Sequence, residues 1–182
     1  VKLLAVARQS PAGVALGVYP ALVPLSHPLA TVHDEFNAIF ITGDLIGEAM
    51  FYGRGAGARP TASAVVADII DAVRSQRRQV KEEFFLNDAR KVTPLPPSAL
   101  SSRFYVRLLA RDRPGVFGAL ATTFGEEEVS LDMIIQKRRT NGTAEIVLVT
   151  HDVNEARFYR SLEKVSRMDA IEPESGVLRV FG

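Results

Sequence analysis

The chain has 182 residues, 47% apolar and 24% charged, with a formal net charge of +1. That is ordinary globular composition, long enough for one medium domain or two small ones. The lack of cysteine excludes disulfides, thiolate metal sites and cysteine nucleophiles. The balanced charge gives no footprint for nucleic acid, and no apolar run reaches the roughly 18 residues of a membrane span.

Val1–Ala7 already reads as a strand, without the basic, apolar and small-residue pattern of a signal peptide. The expectation is a cut inside a larger protein. Ala15–Val23, Phe36–Thr42 and Glu48–Tyr52 read as further strands, with Pro11, Gly13, Pro20, Pro24, Pro28 and Gly43 as turn residues. The period then changes. Ala62, Val65, Val66, Ile69, Ile70 and Val73 mark one face of a helix, entered through Pro60 and Thr61 and extended toward Glu83. The basic cluster Arg74–Lys81 reads as a solvated helix face.

Residues 88–102 contain three prolines and three serines and read as a connector. Before it lie 8 basic and 8 acidic side chains; the remainder of the chain has 14 and 13. Neither half carries a charge bias that points to a partner. The second half predicts a strand at Arg103–Arg111, a helix at Pro114–Glu127 and a strand at Val129–Arg139. A hairpin turn at Asn141–Gly142, a strand at Thr143–Thr150, a helix at Val153–Arg167 and a strand at Gly176–Phe181 complete it. This is the β-α-β-β-α-β order of a ferredoxin-like unit, with helices on one sheet face only. The fold class is therefore α+β: a partial mixed sheet with a long helix, then the ferredoxin-like unit.

Four features bear on chemistry. Gly53, Gly55 and Gly57 sit in a loop between strand and helix, where the backbone can approach a ligand. Their spacing is not the dinucleotide fingerprint, and a structural turn fits as well. His27, with only His33 and His151 beside it in composition, has no metal-pair spacing and reads as a loop residue. Asp44 and Glu48 read as polar loop residues. Gly115 and Val116 follow the first strand of the second half, at a helix start suited to a carboxylate. Ser130, Asp132 and Met133 open the next strand, where an acidic group suits an ammonium. Together they would make an amino-acid site; a plain strand-to-helix turn is the alternative.

Residues 1–87 resemble the carboxy-terminal part of the catalytic region of homoserine dehydrogenases. The resemblance rests on Lys2–Ala7, Val18–Pro20, His27–Ala30, Phe36–Ala38 and, most specifically, Gly53–Val65. Residues 103–182 resemble the ACT regulatory domain, through Asp112–Phe117, Ile135–Lys137 and Thr150–His151, leaving 88–102 as linker. The resemblance implies a cytoplasmic oxidoreductase that interconverts aspartate semialdehyde and homoserine with NADP or NAD, on the route to threonine, isoleucine and methionine. It implies cofactor contact at Gly53, Gly55 and Gly57. It implies binding of an amino-acid effector, threonine above all, at Gly115, Val116, Ser130, Asp132 and Met133. It also implies a homo-oligomer, dimer or tetramer, and no metal, nucleic-acid or membrane partner. The family's catalytic lysine belongs to a segment before Val1, so no catalytic residue is assigned and the chain alone is expected to be silent. A free-standing ACT-type amino-acid sensor is the rival reading. One departure stands out: the family has glycine near position 128, where this chain has Glu126-Glu127-Glu128.

Overall fold

A computed structural model describes residues 1–78, 92–138, 142–173 and 176–182. The proposed helix extension beyond residue 78, the start of the linker and Asn141 of the hairpin turn lie outside the described residues. The described chain forms two compact units. One joins Val1–Val23 to the residues from Val92 to Gly182; the other begins at Pro24.

In the first unit, strands β1 (Lys2–Ser10) and β2 (Gly13–Leu22) form an antiparallel hairpin. Strand β5 (Ser101–Arg111), helix α2 (Val116–Glu126), strands β6 (Leu131–Arg138) and β7 (Thr143–Thr150), helix α3 (Glu155–Ser166) and strand β9 (Gly176–Val180) follow the expected order. A two-residue strand, β8 (Val153–Asn154), pairs with β5 just before α3. The sheet runs β1-β2-β9-β5-β7-β6. Thus the amino-terminal hairpin, which similarity places with the first half, lies in space on the β9 edge of the ferredoxin-like sheet.

Strand alternation builds the core. Phe104, Val106, Leu108 and Ala110 of β5 and Ala144, Ile146 and Leu148 of β7 point to the helix side and are buried. Leu120 and Phe124 of α2 and Phe158 and Val165 of α3 close over them. Phe104 and Phe158 stack in parallel planes with ring centroids 3.7 Å apart. Truncating one such ring costs about 3–5 kcal/mol, more than any surface ion pair supplies. Thr150 is the buried polar residue of β7, and its hydroxyl is fully used. It accepts from the Phe104 amide at 2.9 Å and donates to the His151 carbonyl at 2.7 Å.

Two helix starts differ from the sequence expectation. Helix α2 begins at Val116 rather than Pro114, because Gly115 adopts φ +90° as its N-cap, a conformation that interrupts helical winding. Helix α3 begins at Glu155, because Asn154 caps it, accepting from the amides of Ala156 and Arg157. The end of α2 answers the departure noted above. Glu128 holds the left-handed φ of +58° that glycine would hold. The Val129 amide reaches back to the Phe124 carbonyl at 2.9 Å and the Glu128 amide to Gly125 at 2.9 Å. This is a Schellman ending with a non-glycine residue in it. Four ion pairs onto α3 hold the acidic end: Glu128 with Arg157, Glu127 with Arg160, and both Glu126 and Glu127 with Lys164.

In the second unit, β3 (Phe36–Gly43) and β4 (Gly47–Arg54) pair antiparallel, and helix α1 (Ala58–Arg78) follows the glycine loop. Phe36 stacks on Tyr52 at 4.9 Å, and Arg54 lies over Phe36 and pairs with Glu35. The apolar face expected on α1 is there, but Val65, Val66, Ile69, Ile70 and Val73 are all exposed.

Two outcomes follow for stability. Left-handed backbone costs a non-glycine residue about 1–2 kcal/mol, while an exposed ion pair returns about 0–1 kcal/mol. Glu128→Gly is therefore expected to raise unfolding stability by up to about 1 kcal/mol in denaturant melts; a loss would refute the strain. The second concerns acid. Lys164 and then Arg160 hold the Glu127 carboxyl below the usual carboxylate range. Burial pushes Glu155 upward, but hydrogen bonds from Arg179 and Ser102 outweigh it and leave it lowered as well. Both carboxyls are more acidic folded than unfolded. Their contribution is thus present above the unfolded carboxylate range and lost as pH falls through the folded values. Urea midpoints are expected to hold at neutral pH and fall in acid, less steeply in Glu127→Gln. An identical acid slope in that variant would contradict the assignment.

Candidate functional site

The glycine loop joins β4 to α1, and each of its residues is exposed. Its three glycines are not equivalent. A Cβ on Gly55 would land on the side-chain amide of Asn37, while the Gly55 amide donates to the Glu35 carbonyl at 2.8 Å. A side chain at Gly55 would therefore have to turn the exposed Asn37 amide aside. Gly57 has φ +115°, and the Thr61 amide bonds back to its carbonyl at 3.1 Å. Gly53 has open space where a side chain would be. The first turn of α1 contains no acidic residue. The loop is therefore sterically open to a ligand at Gly53, which sits opposite Asn37 in the ladder, and at Gly57.

The other candidates in this unit have local roles. His27 caps the short 3-10 turn Pro28–Thr31, its Nδ1 accepting from the Leu29 amide at 3.1 Å, and its ring meets Phe40 edge-on at 4.7 Å. Asp44 accepts from the Leu45 amide at 3.0 Å. Among the described residues no group of three or more metal-ligating side chains forms, and no helix is long and apolar enough to cross a membrane.

In the ferredoxin-like half, Gly115 and Val116 line a hollow of about 340 Å³ with Asp112, Arg113, Phe117 and Gln136. Gly115 gives the first-turn amides of α2 no side-chain acceptor, which leaves them for a ligand or water. Gln136 of β6 donates to Asp112 at 3.3 Å, and the Asp112 amide bonds to the Gly142 carbonyl at 2.9 Å. Sequence reasoning did not single out Gln136. Its position on the Ile135-Gln136-Lys137 run, one strand period from Ile134, was the available signal.

Ser130, Asp132 and Met133 lie elsewhere in the same subunit. Asp132 forms an ion pair with Arg103 at 2.8 Å, near the start of β5, whereas Gly115 follows its end. Strand rise puts Asp132 about 13 Å along β6 from Gln136. Met133 is exposed on the sheet, and the Ser130 carbonyl accepts from the His151 amide. One copy therefore does not bring the two halves of the expected effector site together.

The loop geometry sets a graded expectation. Gly53→Ala should leave the melting curve unchanged. Gly55→Ala must turn the exposed Asn37 side chain aside and should cost about 0.5–1.5 kcal/mol, the scale of a displaced rotamer. Equal effects of the two substitutions would refute the division of roles.

Comparison with known proteins places these features. Residues 1–70 match the family model described as homoserine dehydrogenase, and residues 104–169 match the ACT domain. Homoserine dehydrogenase from Synechocystis sp. is 41% identical over all of this chain, and that of Bacillus subtilis is 33% identical. A crystal structure of homoserine dehydrogenase from Thiobacillus denitrificans is 32% identical over 99% of the chain, with a TM-score of 0.85. The chain spans 44%, 42% and 42% of those three proteins, less than half of each. The chain is thus similar along its whole length to the carboxy-terminal region of homoserine dehydrogenases, with its second half similar to an ACT domain.

Proposed function

We propose that this chain is the cofactor-facing and regulatory part of an NAD(P)-dependent homoserine dehydrogenase, acting within a longer polypeptide. The observation that carries this reading is the end-to-end similarity, which runs through the glycine loop and the ACT half alike. In the reaction a hydride passes between the nicotinamide ring and the carbon that is aldehyde in aspartate semialdehyde and alcohol in homoserine. The contribution of this chain is positional. Backbone at Gly53 and Gly57 meets the nicotinamide end of the cofactor, and Gly55, seated on Asn37, sets the loop's path. The exposed apolar face of α1 packs on the nucleotide-binding segment outside this chain. Hydride transfer needs that segment to place the cofactor.

The ACT half supplies feedback by an amino acid, with threonine as the end product of fitting size and chemistry. A carboxylate binds at the uncapped α2 amides beside Gly115 and Val116. The ammonium partner comes from a second copy. Among the described residues β1 and β6 are the edges of the sheet; β6 is the edge that belongs to the ferredoxin-like unit, whereas β9 is already paired with β2. Antiparallel β6–β6 pairing centred on Ile134 sets Asp132 of one copy across from Gln136 of the other. That brings Ser130, Asp132 and Met133 of a second copy to the Gly115 hollow, which one copy alone cannot do. The homodimer and the effector site are then one construction.

Two measurements test this. The chain alone is expected to form no NADPH from homoserine and NADP, and to do so only when joined to its nucleotide-binding segment; turnover by the isolated chain would overturn the assignment of catalysis to that segment. Calorimetry with threonine, serine, methionine and isoleucine is expected to show threonine binding at one to two sites per dimer, weakened about tenfold or more in Asp132→Asn, on the scale of a charged hydrogen bond. No binding of any of the four at millimolar concentration would leave the ACT half as a dimerising module only.

A further inference from the structure

The seam where hairpin β1–β2 meets the ACT sheet contains a side-chain cluster that the effector site does not use. β2 runs parallel to β9 for only two paired positions, Ala21 opposite Arg179 and Leu22 opposite Val180. The Phe181 amide adds one bond to the Leu22 carbonyl at 2.8 Å. So short a parallel ladder holds weakly by itself. On the helix side of the seam, the Arg179 guanidinium forks onto Glu155, Nε to Oε1 at 2.9 Å and Nη2 to Oε2 at 2.7 Å. The same guanidinium lies 4.3 Å from the centroid of the Tyr19 ring and 5.6 Å from that of Phe104. Ser102 donates to Glu155 at 2.7 Å. Glu155 is the first residue of α3 and only 7% exposed. A single guanidinium therefore ties together β2, β5, β9 and the start of α3.

This arrangement transmits position. A bidentate pair fixes the angle and the separation of its partners. A charge this poorly solvated cannot give up one partner without a replacement. The Tyr19 ring gives β2 its share of the same cation. Beyond Leu22 the chain passes directly into the second unit, which begins at Pro24 and includes the glycine loop. β2 is thus attached to the ACT sheet at its carboxy-terminal end, the same end from which the chain continues into the catalytic-region segment.

We propose that the Glu155–Arg179–Tyr19 cluster is the coupling element through which the ACT half acts on the catalytic-region segment. The functional meaning rests on reading that half as regulatory. Tyr19 and Arg179 are positioning residues in this scheme. Displacement of α3 or β9 moves the guanidinium, and the guanidinium carries the Tyr19 strand with it.

Native-state amide exchange of this chain by NMR tests the coupling. Tyr19→Phe keeps the aromatic face and is expected to match wild type. Tyr19→Leu removes it, and exchange should rise about tenfold both in β2 and across the seam at the Glu155 amide, which bonds to the Leu100 carbonyl. Glu155→Gln, a perturbation from the other side, should raise exchange at Ala21 and Leu22; if it does not fold, Tyr19→Leu against Tyr19→Phe decides. With threonine bound, β2 exchange should shift in wild type and Tyr19→Phe but not in Tyr19→Leu, at unchanged calorimetric affinity. Changes confined to the hairpin in Tyr19→Leu, or equal behaviour of the Phe and Leu variants, would overturn the proposal. Absence of threonine binding would count against the effector reading alone, because the ligand-free exchange patterns do not depend on it.

Discussion

The Arg179–Glu155 pair is the constraint on which the first unit depends. Neither charge is well solvated, so each needs the other in place. Their partners come from regions far apart in sequence: Tyr19 from the amino-terminal hairpin, Ser102 and Phe104 from β5. The pair adds little net stability compared with an apolar substitute of the same shape. What it supplies is a unique register between hairpin, sheet and helix. The stability itself comes from the aromatic core beneath, where Phe104, Phe124 and Phe158 are fully buried.

That register also decides how the molecule can assemble. With β9 covered by β2, the sheet has β6 as its available ACT edge, at the end remote from the hairpin. An assembly through β6 leaves the hairpin clear and joins the two halves of an effector site that a single copy keeps apart. The exposed apolar stripe of α1 belongs to the second unit and, in the proposed function, takes the nucleotide-binding segment. In the proposed function, regulation and cofactor contact belong to different units, and the chain leads from β2 of one into the other.

Much of this was legible in the sequence. The 3.6-residue period of Ala62–Val73 and the alternation of Arg103–Arg111 gave the correct elements, because each buries or presents one face along its whole length. The element order gave the ferredoxin-like unit and its one-sided helices. Boundaries were less legible where a single residue decides them. Gly115 delays α2 by its left-handed backbone, and Asn154 delays α3 by capping it. Long-range pairing was illegible for a different reason. Nothing local in Ala15–Val23 says that it will lie beside Gly176–Val180, since the pairing depends on one arginine in an apolar strand and one tyrosine about 160 positions earlier. Sequence spacing also could not show that Asp132 and Gly115 stand at opposite ends of the sheet, because the hairpin between β6 and β7 makes β5 and β6 run the same way with β7 between them. The glycine loop was readable as a motif, but the division of labour within it required the position of Asn37.

Joined by the β2–β9 pairing and the Tyr19–Arg179 contact, the amino-terminal hairpin and the ACT half form one compact unit that should unfold cooperatively. Equilibrium urea unfolding of the chain with and without residues 1–23, followed by far-ultraviolet circular dichroism and by NMR signals of the ACT core, tests it most directly. Deletion is expected to lower the midpoint of the ACT core, because it uncovers the β9 edge and strips Tyr19 from Arg179. An ACT core that unfolds at the same midpoint without the hairpin would contradict it.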